Sequence, residues 1–270
     1  MQPFIKWAGG KKQLLNILNN NLPKQYNCYY EPFVGGGALL FNIQPKKAVI
    51  NDINKSLIHT YTCIRDYPEE LISIINNLDK TIIQDSKNIY YEARNTFNTK
   101  LSNNQYDTEL ASLFIFLNKH CFNGLFRVNK KGLFNVPYNN SIKSSIVEDN
   151  IYQISAYLKN VIIHCDDFIN ITKQASKNDL VFFDSPYDEI NNTTFTAYTK
   201  DGFTKDDHIR LANEFKRLSN IGVYCILTNH NTKLINELYK GFNIQVINVQ
   251  RNINRDGKNR TGEEVIIKNF

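Results

Sequence analysis

Short apolar runs of strand length recur along the chain at Tyr29 to Val34, Ala48 to Asn51, Val161 to Cys165, Leu180 to Phe183 and Val223 to Leu227. Helical patterns follow several of them, and strands that alternate with helices predict a parallel α/β sheet. Two helix starts are legible. Pro68 followed by Glu69 and Glu70 opens one helix, and Thr204 with Asp207 makes a capping box for an amphipathic stretch that reaches Leu218. Between about Asn54 and Asn150 the strand rhythm stops. Helical patterns at Ile89 to Lys100 and Glu109 to Lys119 take over before a Gly- and Asn-rich loop, which predicts an inserted helical domain. Beyond Gly241, extended segments at Ile244 to Val249 and Val265 to Ile267 flank a basic stretch from Arg251 to Arg260, the pattern of a terminal hairpin.

Composition narrows the class. A chain of 270 residues is one large domain or a domain with an insertion, and 42% apolar with 21% charged residues excludes a disordered chain. The five cysteines (Cys28, Cys63, Cys121, Cys165, Cys225) are scattered, with no C-x-x-C pair. Neither a zinc site nor a disulfide framework is indicated, and a reducing cytoplasmic setting is expected. The longest apolar run, near Leu113 to Leu117, falls far short of a membrane span, and the start from Met1 to Trp7 lacks the pattern of a secretory signal. A formal charge of +6 is consistent with a polyanionic partner.

Four constellations carry candidate chemistry. Glu31-Pro32-Phe33-Val34-Gly35-Gly36-Gly37-Ala38-Leu39 runs from a predicted strand through glycines into a helix, where the backbone can approach a ligand closely. Asn51-Asp52 closes the next strand with an acid suited to ribose hydroxyls; Leu40 occupies the last glycine position of the dinucleotide fingerprint. Lys6-Trp7-Ala8-Gly9-Gly10-Lys11-Lys12 fails as a phosphate loop, because Ile5 stands where its first glycine belongs and Lys12 replaces the Ser/Thr. A ligand- or DNA-contacting segment and a solvated basic terminus both remain open for it. Leu180-Val181-Phe182-Phe183-Asp184-Ser185-Pro186-Tyr187 is an apolar strand ending in an acid and a Pro-fixed turn. Its carboxylate and a main-chain carbonyl could accept from an exocyclic amine while Tyr187 offers a π-face to a flat ring, and carboxyl strand ends are where open α/β sheets bind ligands. The fourth, Leu117 to Tyr138, interleaves basic, amide and aromatic residues that could contact phosphates, base edges and a base step; its bland reading is a solvated loop anchored by Phe122 and Phe126.

Taken in order, Lys6 to Lys11, Glu31 to Gly37, Phe122-Asn123-Gly124-Leu125-Phe126-Arg127-Val128-Asn129 with Phe134-Asn135-Val136-Pro137, Asp184-Ser185-Pro186-Tyr187 and Phe195-Thr196-Ala197-Tyr198 resemble Dam-type DNA adenine-N6 methyltransferases of the D12 class, alpha group. The resemblance runs nearly end to end. It implies a Rossmann-like α/β S-adenosylmethionine-dependent methyltransferase sheet from residues 1–54 and 155–270, with a mainly helical target-recognition domain inserted at 55–154. It implies S-adenosylmethionine as methyl donor and no metal, with Trp7, Lys11, Phe33, Gly35, Gly37, Asp52, Asp166, Phe168 and Asp184 around the donor. Asp184, Ser185, Pro186 and Tyr187 form the implied catalytic set. Double-stranded DNA is the implied partner of a monomer, contacted by Lys6, Phe122, Asn123, Leu125, Arg127, Asn129 and Pro137. Members with this pattern commonly read GATC, with Lys6 and Arg127 on guanines, the residue at Phe122 as a wedge and the target adenine flipped onto Tyr187. Such enzymes serve restriction-modification among other settings. Ser185 stands where the family most often has proline, and Phe122 where tyrosine is common; the chemistry is expected to survive with a looser turn.

Three other readings compete. An N4-cytosine, RNA or protein-amide methyltransferase would use the same tetrapeptide, but the Asn123 to Arg127 loop favours duplex DNA and adenine. A non-catalytic DNA-binding regulator would be expected to have lost Asp52, Gly35, Gly37 or Asp184, all of which are present. A nicotinamide oxidoreductase gives the basic loop no role.

Overall fold

A computed structural model describes residues 1–7, 11, 14–189, 202–250 and 261–270, and the backbone alone of Gln250 and Thr261. Ala8, Gly9, Gly10, Lys12, Phe195 to Tyr198 and the basic stretch 251–260 lie outside the described residues.

Helix α1 (Leu15–Asn21) precedes β1 (Tyr29–Glu31), α2 (Ala38–Ile43) and β2 (Ala48–Asn51). A helical block follows: α3 (Lys55–Asp66), α4 (Pro68–Thr81), α5 (Ser86–Ser102) and α6 (Thr108–His120), then an irregular loop and α7 (Glu148–Leu158). The chain then returns through β3 (Val161–His164), α8 (Phe168–Thr172), β4 (Leu180–Phe183), α9 (Lys205–Asn220), β5 (Tyr224–His230), α10 (Lys233–Leu238), β6 (Asn243–Gln250) and β7 (Thr261–Lys268).

The strands form one seven-stranded sheet in the order β3-β2-β1-β4-β5-β7-β6. β1 to β5 are parallel, whereas β7 runs antiparallel to both β5 and β6, so the expected terminal hairpin extends the sheet at one edge. Alternate residues of each strand face opposite ways. Tyr29, Ile50, Leu180 and Phe182 join a cluster with α3 to α7, while Tyr30, Val49, Val181 and Phe183 join a second cluster with α8, α9 and α10. Coverage of both faces explains why these strands read as unbroken apolar runs.

The helix starts follow from their caps. Asn54 accepts from Leu57 N, Asp107 from Leu110 N, and Thr204 with Asp207 forms the expected capping box. Of the strand boundaries that differ from expectation, two have a direct physical cause. β1 ends at Glu31 rather than Val34, because Pro32 has no N–H for the ladder and the chain turns there. β5 runs on from Leu227 to His230, because β7 pairs with its polar end through Asn229 to Val265 and His230 to Glu264. The apolar cluster of the helical block is continuous with one face of the sheet, and α7 spans the junction expected at 154/155 with Ile154 and Leu158 buried in that cluster.

Candidate active site

The parallel strand order changes direction between β1 and β4. That point opens a crevice beyond the carboxyl ends of the strands. Glu31 ends β1, Asp52 follows β2, Asp166 follows β3, Asp184 follows β4, and Thr228 lies near the end of β5. Five side chains far apart in sequence therefore line one edge of the sheet.

The glycine turn after β1 is built around Trp7 and Tyr61. Gly35 and Gly37 take φ of +47° and +68°, the left-handed region that glycine enters without Cβ strain. A Cβ on Gly35 would lie 2.6 Å from Trp7 Cδ1, and the Tyr61 hydroxyl donates to the Gly35 carbonyl at 3.0 Å. Gly35 N donates to Asp52 Oδ2 at 3.1 Å, and Asn54 N donates to Asp52 Oδ1 at 2.9 Å. Burial pushes the Asp52 carboxyl up to about 6, against the pull of those two backbone donors. Asn51 holds the neighbouring turns together, donating to the Pro32 and Asp166 carbonyls and accepting from Asp166 N. Asp166 is exposed, and donation from Asn170 and Asp167 N holds its carboxyl below the usual range. Beside it the Phe33 and Phe168 rings lie 5.3 Å apart, and Phe203, which the sequence reading did not single out, meets Phe33 edge-on at 5.9 Å.

At the end of β4, Asp184 Oδ1 takes an ion pair from Lys11 Nζ at 2.6 Å and a hydrogen bond from the Thr228 hydroxyl at 2.8 Å. Lys11 is only 4% exposed, so it is not a solvated terminal lysine. Burial opposes its charge, but Asp184 and Tyr187 outweigh that and hold the ammonium above its ordinary pKa. Its Nζ also stands 4.6 Å over the Tyr187 ring. The Tyr187 hydroxyl donates to Glu264 on β7 at 3.1 Å, and the ring packs edge-on against His230. Glu31 is buried alongside, accepting from the Tyr29 hydroxyl at 2.8 Å; desolvation, reinforced by Asp184, pushes its carboxyl up to about 8. The Ser185 side chain is buried; residues 184–189 form no regular turn, contrary to expectation, and the Pro186 ring fixes one backbone angle between Ser185 and Tyr187. Thr228, Glu264 and Glu31, like Phe203, Tyr61 and His230, are site residues to which the sequence reading assigned no role.

The residues expected to meet DNA, apart from Lys6, lie on the loop after α6. Cys121 bridges Tyr138 and Val128 bridges Phe134, so its two arms run antiparallel. Phe122 is 53% exposed, whereas Phe126 is stacked on Trp7 at 5.7 Å; of the two anchors that a solvated loop would use, one packs inward and one does not. Asn123, Arg127, Asn129 and Pro137 are exposed, and Leu125 is partly buried. Arg127 Nε donates to Asn135 Oδ1 at 2.8 Å, and Phe122 N donates to the Pro137 carbonyl. Asn129 Oδ1 accepts from the backbone of Lys131 and Leu133, so its side chain shapes the turn at the loop tip. Lys6 is exposed with its stem against Gly124.

No helix among the described residues is long and apolar enough to cross a membrane. Among the same residues no group of His, Cys, Asp and Glu is arranged to hold a metal ion.

Residues 7–253 match the model of the D12 class N6 adenine-specific DNA methyltransferases. The chain is 41% identical, over all of its length and 99% of the relative's, to the Type II methyltransferase M.MjaIII of Methanocaldococcus jannaschii. It is 39% identical, over all of its length and 96% of the relative's, to the Type II methyltransferase M1.LlaDCHI of Lactococcus lactis subsp. cremoris. The DNA adenine methylase of Escherichia coli (strain K12) is 31% identical over 95% of this chain and 91% of its own. With a match across nearly the whole chain and the acid-bearing strand ends of the α/β sheet gathered at one crevice, the protein belongs to the D12 class of N6 adenine-specific DNA methyltransferases.

Proposed function

We infer that the protein moves the methyl group of S-adenosylmethionine to N6 of adenine in double-stranded DNA at GATC, with the target base turned out of the duplex. The observation that carries this reading is the convergence, at one sheet edge, of the Asp52-Gly35 turn with the Asp184-Tyr187 segment.

The residues present fit S-adenosylmethionine. Asp52 would offer carboxylate oxygens to two ribose hydroxyls, the Phe33 and Phe168 rings would offer apolar walls beside Asp166, and Glu31 and Asp184 would contribute acidic groups to the same crevice. When bound, this group supplies an electrophilic methyl. The chain's part is to hold and orient the amine. Among the described residues both contacts to Asp184 are on Oδ1, so Oδ2 is the oxygen assigned to one N6 proton, and the Ser185 carbonyl takes the other. Two such acceptors draw the nitrogen lone pair out of ring conjugation, after which in-line transfer depends on positioning more than on a strong base. Glu264 and His230 fix the Tyr187 ring. Lys11 covers one face of that ring, so a stacked adenine either displaces the ammonium or takes the opposite face. Turning the base out costs a few kcal/mol of stacking and pairing, which the DNA loop, with Phe122 exposed on it, would help to meet.

Assignment to GATC rests on the likeness of Lys6 and the Phe122 to Arg127 loop to GATC-reading members of the family. Residues 55–154 are assigned as the recognition insert, and a monomer is sufficient for the reaction. The test is methyl transfer from labelled S-adenosylmethionine to unmethylated duplex DNA, followed by digestion with nucleases that GATC methylation blocks or enables. Incorporation with protection at GATC is expected. Incorporation without protection discards the site, and absence of incorporation on duplex DNA, with transfer to RNA or cytosine instead, overturns the substrate.

A further inference from the structure

Lys6 and Trp7 join two parts of the molecule that the reaction must use together. Asn118 lies on α6 and is 3% exposed. Its Oδ1 accepts from Lys6 N at 2.8 Å, and its Nδ2 donates to the Lys6 carbonyl at 2.8 Å and the Gly124 carbonyl at 3.0 Å. A single amide thus pins both backbone groups of Lys6 and the turn at the head of the loop after α6. Contact there is tight, because Gly124 has φ of +64° and a Cβ on it would lie 2.6 Å from Lys6 Cδ. One residue on, Trp7 stacks on Phe126 with an interplanar angle of 20°. Trp7 also abuts Gly35, whose N–H is held by Asp52. Close-packed groups of this kind pass a displacement on rather than absorb it.

We propose that Asn118 is a positioning residue that couples DNA recognition to binding of the methyl donor. By tying Lys6 to Gly124 it seats Trp7 between Phe126 of the DNA loop and Gly35 of the donor loop. A shift of the DNA loop on binding then moves the wall of the donor site, and by linkage the donor affects DNA affinity by the same factor. The inference rests on the preceding assignment of the donor to the Gly35-Asp52 turn and of DNA to the loop after α6. It adds a residue that touches neither ligand and a property, reciprocal coupling, that the assignment does not require.

Trp7 is the single tryptophan of the chain, so intrinsic fluorescence reports on this junction. The experiment measures the dissociation constant of S-adenosylhomocysteine by calorimetry, without DNA and with saturating duplex carrying the site found in the methylation assay. It uses the full chain, Asn118→Ala and Phe126→Leu. In the unmodified protein, DNA is expected to tighten S-adenosylhomocysteine by about fivefold or more, within the usual range of coupling between sites. Duplex alone is expected to shift Trp7 emission. Asn118→Ala should bring the coupling factor close to one while each ligand still binds alone. A lowered melting temperature with the coupling factor unchanged would show a merely structural Asn118 and overturn the proposal, as would a factor of one in the unmodified protein. Should Asn118→Ala fail to fold, Phe126→Leu carries the test: it removes the Trp7 stack and leaves the Asn118 hydrogen bonds. Its coupling should fall, and an unchanged factor overturns the proposal. Failure of the unmodified protein to bind S-adenosylhomocysteine or duplex at all would strike the functional assignment itself, and would show before any variant is made.

Discussion

Asp184 has two duties that pull its mutants in different directions. It is assigned to the reacting amine, and it also neutralises Lys11, which is nearly sealed from water. Removing one partner of a buried ion pair leaves an uncompensated charge, at a cost of about 3–5 kcal/mol. Asp184→Ala is therefore expected to lose stability as well as turnover, by up to that amount. Asp184→Asn keeps an acceptor for Lys11 and Thr228 but not the countercharge, and should lose turnover with a smaller loss of stability than Asp184→Ala. Thermal unfolding of both variants, with duplex affinity and single-turnover methylation, separates the two duties; retained turnover in Asp184→Asn would remove the carboxylate from the chemistry. Asp52 makes a pH prediction. Burial lifts its carboxyl to about 6, and a ribose hydroxyl donates best to the ionised form. Binding then favours ionisation and lowers this pKa, so affinity for S-adenosylhomocysteine should rise as pH increases through about 6 and level off above it. Calorimetry across that window should show the inflection in the unmodified protein and none in Asp52→Asn, whose affinity is low throughout.

The turn from β1 into α2 shows how much an element can depend on one position. Gly37 caps α2 at φ +68°, and a Cβ there would meet the Tyr61 hydroxyl at 2.7 Å and Phe41 Cε2 at 2.9 Å. Gly37→Ala combines left-handed strain of about 1–2 kcal/mol with overpacking of a buried ring, and a loss of about 2 kcal/mol or more is expected in urea unfolding. That glycine was legible because the motif around it is local, as were Asp52 and Asp184, acids standing at the ends of strand-like runs. Elements were legible where an apolar period and a cap coincide, as in α9 with Thr204 and Asp207. α7 has the period, with Ile151, Ile154 and Leu158 buried, and the acids Glu148 and Asp149 in its first turn, but it follows Val147, which makes no side-chain cap, so its start is marked less sharply than that of α9. The polar end of β5 reads as loop, since it is extended only by pairing with β7, a strand that follows far along the chain. The same holds in the site. Thr228 reaches Asp184 across 44 positions, Glu264 reaches Tyr187 across 77, and Asn118 reaches Lys6 across 112. Only the folded sheet and helical block bring those partners together, and no local pattern announces them.

Over the whole molecule, the formal charge of +6 is a weak field, so affinity for DNA must come from where the cations sit rather than from their number. Lys6, Arg127, Lys130 and Lys131 are all exposed, three of them on the loop after α6 and the fourth packed by its stem against Gly124 of that loop. Their assigned roles differ. Arg127, held through Nε by Asn135, is assigned to a guanine edge, whereas Lys130 and Lys131, at the loop tip beside the turn shaped by Asn129, are assigned to phosphates. A phosphate contact releases counterions and a base contact does not, so salt tells them apart. Replacing both Lys130 and Lys131 by alanine should lower the slope of log affinity against log salt by about 1.8 if each neutralises one phosphate, equally on specific and scrambled duplexes. Arg127→Ala should leave that slope nearly unchanged and cost about 1–3 kcal/mol of discrimination at one guanine. Binding isotherms over a salt series, on the cognate duplex and on duplexes altered at each guanine in turn, decide between the roles. A uniform loss across sequences for Arg127→Ala, accompanied by a shallower slope, would make it a third phosphate contact and leave Lys6 and the loop's remaining exposed amides, Asn123 among them, to read the site.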